Sequence, residues 1–343
     1  MRFFTALLLL LCLVILNSCD SKGGPQLHML TWSGYLQPEV IEDFEEKYQC
    51  RVVIDTYDSN ESMYAKLTLG ASHYDLIFPS NYFLELLNER GMLQTVDYSK
   101  IPNGKNLDPR YMKKLGPDLQ ALGVPYTTTS AGIGYRKDKM QNPIDSWGVF
   151  GNPAYKGRMT MLNDMRETLG AALLFLGYKA NTTDPAEITE AADLLITWKK
   201  NLAKFENEQY KSGIASSEYL VIQGYNGDIL QVIRENPKIG FVYPKEGITI
   251  TFDFIAIPKA SQNPELSYLF INYLLEPDVA YEHMEFSSFF SPNTAAYPLL
   301  PEELRENPAF FMPESVLEKA ELIRYLGVQG KLYNRAWDRV KNE

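Results

Sequence analysis

Apolar positions between residues 27 and 90 switch repeatedly between two periods. Leu27-His28-Met29-Leu30-Thr31-Trp32 reads as a strand. From Pro38 onward, Val40, Ile41, Phe44 and Tyr48 fall on one helical face, and the proline suits a first turn that needs no amide donor. Arg51 to Tyr57 is rich in β-branched residues and reads as a second strand. Ser59 or Asn60 can cap a helix through Leu69, with Gly70 ending it. Tyr74 to Phe78 is a third strand, stopped by Pro79, and a helix follows to Arg90 with Gly91 at its end. This βαβα rhythm predicts a largely parallel sheet with helices on both faces.

The rhythm resumes further on. Strands are predicted at Arg158–Leu162, Tyr219–Gln223, Ile239–Tyr243 and Phe252–Ile257. Helices are predicted from about Met165, at Asp184–Ala203 and at Asp228–Arg234, with two short ones across Pro264–Glu285 split at Pro277. Thr127-Thr128-Thr129, with Gly132 and Gly134 after it, fits a strand crossing between two lobes, and Glu246-Gly247 to Thr251 fits a return crossing. The expected division is residues 27–128 plus 254–300 for one lobe and 129–253 plus 301–343 for the other.

The N-terminus stands apart from this pattern. Ala6 to Leu16 is an unbroken apolar run, long enough for the core of a signal peptide and short for a membrane span. Leu16-Asn17-Ser18-Cys19 at its end resembles a bacterial lipobox, in which Cys19 becomes the lipidated first residue. An ordinary cleaved signal with an incidental cysteine is the alternative. Residues 20–26 read as a tether. Loss of residues 1–18 removes one charged side chain, Arg2, and moves the formal net charge from −10 to −11. With Cys19 acylated, Cys50 is the only free thiol left, so stability must come from the core rather than from disulfides. About 325 residues exceed the usual span of one core, which favours two lobes. The acidity argues against nucleic acid and favours a cationic ligand.

Catalytic chemistry finds little support. The three histidines, His28, His73 and His283, lie in no metal-ligand spacing, and there is no GxSxG, Walker A or GxGxxG motif. No cofactor is implied. The aromatic residues, 13% of the chain, are more informative. Trp32, Tyr35, Tyr82 and Tyr225 stand where strands end and loops begin, which is where open α/β sheets bind ligands. Aromatic faces there attract ammonium groups, by about 0.5–2 kcal/mol each. Asp164 and Glu167 share a helix face just after a strand; a capping box explains them as well as a ligand site does. Asp253 lies within the apolar run Thr-Phe-Asp-Phe-Ile-Ala-Ile and needs a partner: a ligand ammonium, a buried arginine or a ring of backbone N–H groups.

Several blocks in order resemble the bacterial spermidine/putrescine-binding proteins of ABC importers. They are Thr31-Trp32-Ser33-Gly34-Tyr35, the run Thr56 to Leu67, Tyr74 to Tyr82, Asn106-Leu107-Asp108-Pro109, Asn181-Thr182-Thr183-Asp184-Pro185, Tyr243 to Gly247, and Ser291-Pro292-Asn293. The likeness runs from about Leu27 to about Val340. It implies an α/β, two-lobed periplasmic-binding-protein fold (type II-like). Each lobe would be a mostly parallel sheet flanked by helices, joined by crossing strands with a ligand cleft between. It also implies a ligand box of Trp32, Ser33, Tyr35, Ser80, Tyr82, Asp164, Glu167, Tyr225, Thr251, Asp253 and Phe289. Tyr225 and Thr251 stand where the spermidine pattern has Trp, Phe289 stands where it has Tyr, and a polar amide near Ile323 is absent. These departures leave the preference among polyamines open.

The resulting expectation is a monomeric, exported lipoprotein at the periplasmic face of the membrane that hands a polyamine to the permease subunits of an ABC transporter. Asp253 would hold one terminal ammonium and Asp164 with Glu167 the other. Trp32, Tyr35 and Tyr225 would cover the methylenes, while Ser80 and Tyr82 orient the ligand. Three rivals are a same-fold binder of another solute such as iron(III), a surface sensor or adhesin, and an enzyme acting on amines.

Overall fold

The computed structural model describes residues 24–69, 73–140 and 142–343. The signal segment, Cys19, most of the tether and Gly70 lie outside them.

The first sheet is built as the periodicity predicts. Strand β1 (Gln26–Trp32) runs into helix α1 (Pro38–Tyr48), which buries Val40 and Phe44. Strand β2 (Arg51–Tyr57) follows, then α2 (Asn60–Thr68), capped by Ser59. Next come β3 (Leu76–Ile77) and α3 (Asn81–Glu89). The strands lie in the order β2-β1-β3, all parallel, with Trp32 opposite Tyr57 and Leu30 opposite Ile77. After α4 (Pro109–Gln120, broken at Gly116-Pro117) comes β4 (Val124–Arg136), thirteen residues long and almost wholly buried.

Beyond β4 lie β5 (Met159–Met161), α5 (Met165–Phe175), α6 (Pro185–Lys199), β6 (Lys204–Phe205), α7 (Tyr210–Ser216), β7 (Val221–Tyr225), α8 (Asn226–Glu235), β8 (Ile239–Val242) and β9 (Thr249–Ile255). The chain closes with α9 (Pro264–Leu274), α10 (Pro277–Ser287), α11 (Glu302–Arg305), α12 (Glu314–Lys319), β10 (Glu321–Leu322) and α13 (Gly330–Asn342). β5 pairs in parallel with β6 and β7, as expected. β4 is antiparallel to β7, β8 and β9, so the second sheet is mixed rather than mostly parallel. Gly132 allows the close approach of β8: a Cβ there would lie 2.3 Å from the Phe241 ring.

β4 and β9 are the two crossing strands. Thr127 faces Asp253, and Thr129 faces Thr251. The end of β9 bridges back to the first sheet at Ser80↔Asp253 and Ile77↔Ala256, while its start pairs with β10 at Thr249↔Glu321. Leu27, Met29, Phe44, Phe78 and Phe270 form a core at one end of this pair; Ala131, Leu162, Tyr210 and Ile222 form another. Among the described residues no helix is long and apolar enough to cross a membrane.

Candidate ligand site along the crossing strands

The strand ends deliver the candidates. Trp32 to Tyr35 follow β1, Ser80 and Tyr82 follow β3, Asp164 and Glu167 follow β5, and Tyr225 ends β7. These are carboxyl ends of strands, as the α/β binding rule requires.

β9 carries the acid that ties them together. Its alternation places Thr249, Thr251 and Asp253 on one face, and the antiparallel register puts Thr127 and Thr129 beside them. Asp253 is held by hydroxyls alone. Ser80 Oγ donates to Oδ1 at 2.8 Å, the Tyr35 hydroxyl to Oδ2 at 3.1 Å, and Thr127 Oγ1 to Oδ2 at 3.5 Å. Tyr35 and Thr127 lie 2.5 Å apart, oxygen to oxygen. Burial pushes the Asp253 carboxyl up to about 6, against the pull of the three hydroxyls.

The other acids stand at the start of α5. Asp164 is the N-cap; its Oδ1 accepts from the amides of Arg166 at 2.9 Å and Glu167 at 3.0 Å. Its Oδ2 receives the Tyr225 hydroxyl at 3.3 Å. Glu167 does not reach back to complete a capping box. It is buried and accepts a short hydrogen bond from Thr249 Oγ1, on the same β9 face as Asp253. In Asp164 the cap thus leaves one carboxylate oxygen to the Tyr225 hydroxyl. Burial first, then the charge of Asp164, push the Glu167 carboxyl up to about 8; Thr249 and Arg166 act against that rise. A row thus runs from Glu167 at Thr249, past the hydroxyl pair of Thr129 and Thr251 (2.6 Å), to Asp253. Four strand residues span about 13 Å.

Aromatic side chains wall this row. Burial raises the Tyr82 hydroxyl, and the charges of Asp164, Glu61 and Asp253 add to the rise, so Tyr82 stands in the field of both acid groups. Burial and then Asp164 and Glu167 raise Tyr225 in the same way. Trp32 is half-buried, donates its indole N–H to the Phe78 carbonyl at 3.0 Å and packs on Tyr57, ring centroids 4.6 Å apart. Ser33 is exposed, and its hydroxyl donates to Asp58 at 2.9 Å rather than to any candidate residue. Phe289 is half-buried with its ring against Gly227 at the start of α8, two residues beyond Tyr225.

Among the described residues, none of Asp164, Glu167 and Asp253 forms an ion pair. The nearest cation, Arg166, is turned away: its guanidinium donates to the Arg324 carbonyl at 2.9 Å and to Asn181 Oδ1 at 2.8 Å. It also lies over the Tyr333 ring at 4.7 Å. An open depression of about 600 Å³, lined by residues such as Tyr178, Lys179, Glu187 and Glu321, contains none of the candidate residues. No group of three or more His, Cys, Asp or Glu among the described residues could hold a metal ion. His28 and His73 stack edge to face on each other at 5.5 Å.

Four residues escaped the sequence reading. Thr127 and Thr249 hold the carboxylates, Asn60 donates to both Ser80 Oγ (3.1 Å) and the Tyr82 hydroxyl (3.2 Å), and Tyr57 backs Trp32. The alternation Thr-Ile-Thr-Phe-Asp over residues 249–253 already places Thr249 beside Asp253. Thr127 and Asn60 come in only through long-range register.

Two lobes crossed by β4 and β9, with polar and aromatic side chains gathered where they cross, define a solute-binding protein rather than an enzyme. The bacterial extracellular solute-binding protein family matches residues 39–312, and the chain belongs to it. It is 32% identical over 358 aligned residues to the putrescine-binding periplasmic protein SpuD of Pseudomonas aeruginosa, covering 98% of each chain. It is 33% identical to the putrescine-binding periplasmic protein PotF of Escherichia coli, covering 92% of this chain and 91% of that one. The crystal structure of the Tp0655 (TpPotD) lipoprotein of Treponema pallidum superimposes with a TM-score of 0.83 at 32% identity, over 92% of this chain and 99% of that one.

Proposed function

We propose that this chain is a lipoprotein, anchored through Cys19 at the periplasmic face of the membrane, that captures a polyamine such as putrescine or spermidine. It then delivers the ligand, as a monomer, to the permease of an ABC transporter. The lobes in this reading are residues 27–128 plus 254–300 and residues 129–253 plus 301–343, closing on the ligand by rotation about β4 and β9.

One observation carries the reading: among the described residues none of the three acids forms an ion pair, and Arg166, the cation whose charge reaches Glu167, donates its guanidinium N–H groups to the Arg324 carbonyl and Asn181 instead. Isolated carboxylates are costly away from water, and a ligand that brings an ammonium to each end of the row removes that cost. Asp253 takes one ammonium inside its ring of hydroxyls. Asp164 and Glu167 take the other, and in spermidine the secondary amine as well. Trp32, Tyr35 and Tyr225 cover the methylenes and add cation–π attraction. Charge-assisted contacts contribute about 1.5–3 kcal/mol each, which after the cost of association gives micromolar affinity or tighter. The names of the relatives point the same way. Thermal-shift titration with putrescine, cadaverine, spermidine and spermine tests it, with iron(III) alongside. At least one polyamine is expected to raise Tm in a saturable manner; a shift with iron(III) alone would replace the reading.

A further inference from the structure

The Asn181 to Pro185 block marked by the sequence pattern has no place in the ligand row, yet its first residue is fully engaged. Asn181 Oδ1 accepts from Arg166 Nη2 at 2.8 Å and from the Arg324 amide at 2.9 Å, and Asn181 Nδ2 donates to the Leu322 carbonyl at 2.9 Å. Arg166 Nη1 reaches the Arg324 carbonyl at 2.9 Å. The Arg324 carbonyl is thus held from α5 by Arg166, which stands between Asp164 and Glu167, and its amide by Asn181 in the segment that joins α5 to α6.

The side chain of Arg324 points to the other acid end. Arg324 Nε donates to Glu85 Oε1 at 2.6 Å, with Nη2 on the same oxygen, and the Tyr325 amide donates to Glu85 Oε2 at 2.7 Å. Glu85 lies on α3, one turn after Asn81 and on the same face. Asn81 in turn donates to the Ile323 carbonyl at 2.5 Å and accepts from the Phe252 amide at 3.0 Å, beside Asp253. α3 opens with Ser80 and Tyr82, which serve the Asp253 end. The Glu85 side chain is 16% exposed, while that of Arg324 is 46% exposed.

We propose that Arg324 is a positioning residue that sets the spacing between the two acid ends of the ligand row, with Arg166 and Asn181 fixing its backbone and Glu85 its side chain. The proposal rests on the polyamine reading of that row. It makes residues 323–325 a tie between the two halves beside β4 and β9, and one that can be broken without touching a ligand contact. A rigid spacing discriminates diamines by length, because a chain one methylene too long or too short cannot seat both ammonium groups.

The test uses Arg324→Ala, Arg324→Lys and Glu85→Gln, with calorimetry against 1,3-diaminopropane, putrescine and cadaverine, and amide hydrogen exchange on ligand-free protein. Arg324→Ala is expected to compress the ratio of affinities between the best and second-best diamine by about tenfold. The Tyr325 and Phe252 amides should exchange at least about tenfold faster. Arg324→Lys keeps the charge but loses the fork and should fall between wild type and Arg324→Ala. Glu85→Gln, which keeps both acceptor and shape, should move both readouts less and in the same direction. An unchanged length preference in Arg324→Ala, or unchanged exchange at both amides, overturns the proposal. If the wild-type protein binds neither a diamine nor spermidine, the polyamine reading fails, while the exchange measurement still decides whether Arg324 ties the halves together.

Discussion

The two acid ends of the row solve one problem in different ways. At Asp253 a single carboxylate sits among three side-chain hydroxyls, from Ser80, Tyr35 and Thr127, brought from three separate segments. Every donor there is neutral; Asn60 donates to Ser80, and the Tyr35 and Thr127 hydroxyls lie against each other. At the start of α5, two carboxylates three residues apart share one helix terminus, and Arg166 stands behind them without pairing. The first end is a carboxylate ringed by hydroxyls, which in the proposed reading takes one ammonium. The second is a pair whose total charge can change by one proton, because Glu167 is pushed up to about 8. In the proposed reading one end would therefore fix the ligand, and the other accommodate it.

Replacing the fixed charge should do the most damage. Asp253→Asn is expected to weaken polyamine binding by about 100-fold, since truncating one partner of an enclosed charge pair costs about 2–5 kcal/mol. The same change should leave the ligand-free Tm unchanged or higher, because it removes a desolvated carboxylate. Calorimetry and a melting curve on one variant check both; a large loss of Tm would recast Asp253 as a structural residue.

Glu167→Gln should cost less, about tenfold, because Asp164 remains to meet the ammonium. Loss as large as that from Asp253→Asn would remove the contrast between the ends.

The proton at Glu167 makes a further distinction. Its folded value, about 8, lies above the ordinary carboxylate value of 4.5. The stability associated with that proton is present below about 4.5 and is lost as pH rises through about 8. Ligand-free protein should therefore be more stable at pH 6 than at pH 8.5. A dication favours the ionised acid, so binding should tighten as pH rises from 6.5 to 8 and should release protons at pH 7. Calorimetry in buffers of different ionisation enthalpy reads that proton; no release would place Glu167 outside the site.

Tyr35→Phe is the mildest change. It deletes one donor to Asp253 and should weaken binding about fivefold, the worth of a single hydrogen bond near 1 kcal/mol. Because it acts on the rigid end, its effect should be the same for putrescine and spermidine.

How much of this was legible depended on whether the signal was local. β1, α1, β2 and the helix after Asp164 follow from periods of two and 3.6 and from caps close in sequence, and the structure has them within a residue or two. The predicted strand Tyr74–Phe78 shrinks to Leu76–Ile77, because the Phe78 carbonyl is taken by the Trp32 indole and the Tyr57 hydroxyl. β4 is antiparallel to its neighbours because it crosses between sheets, a relation that no βαβ pattern encodes. The C-terminal helix α13 went unread although Tyr333, Ala336 and Val340, at helical spacing, form its buried face. The carboxylates themselves could be picked out from Asp253 in its apolar run. Their partners Thr127 and Asn60 could not, for they lie 126 residues from Asp253 and 20 from Ser80 and meet them only in the folded chain.

The central claim is that the row grips both ends of one ligand at once. Titration of putrescine and of butylamine, which keeps the four-carbon chain but carries one ammonium, tests it directly. Putrescine should bind one to one and at least about 100-fold more tightly, because butylamine leaves one acid end without a counter-charge. Equal affinities for the two amines would show that a single end does the binding and would contradict the account.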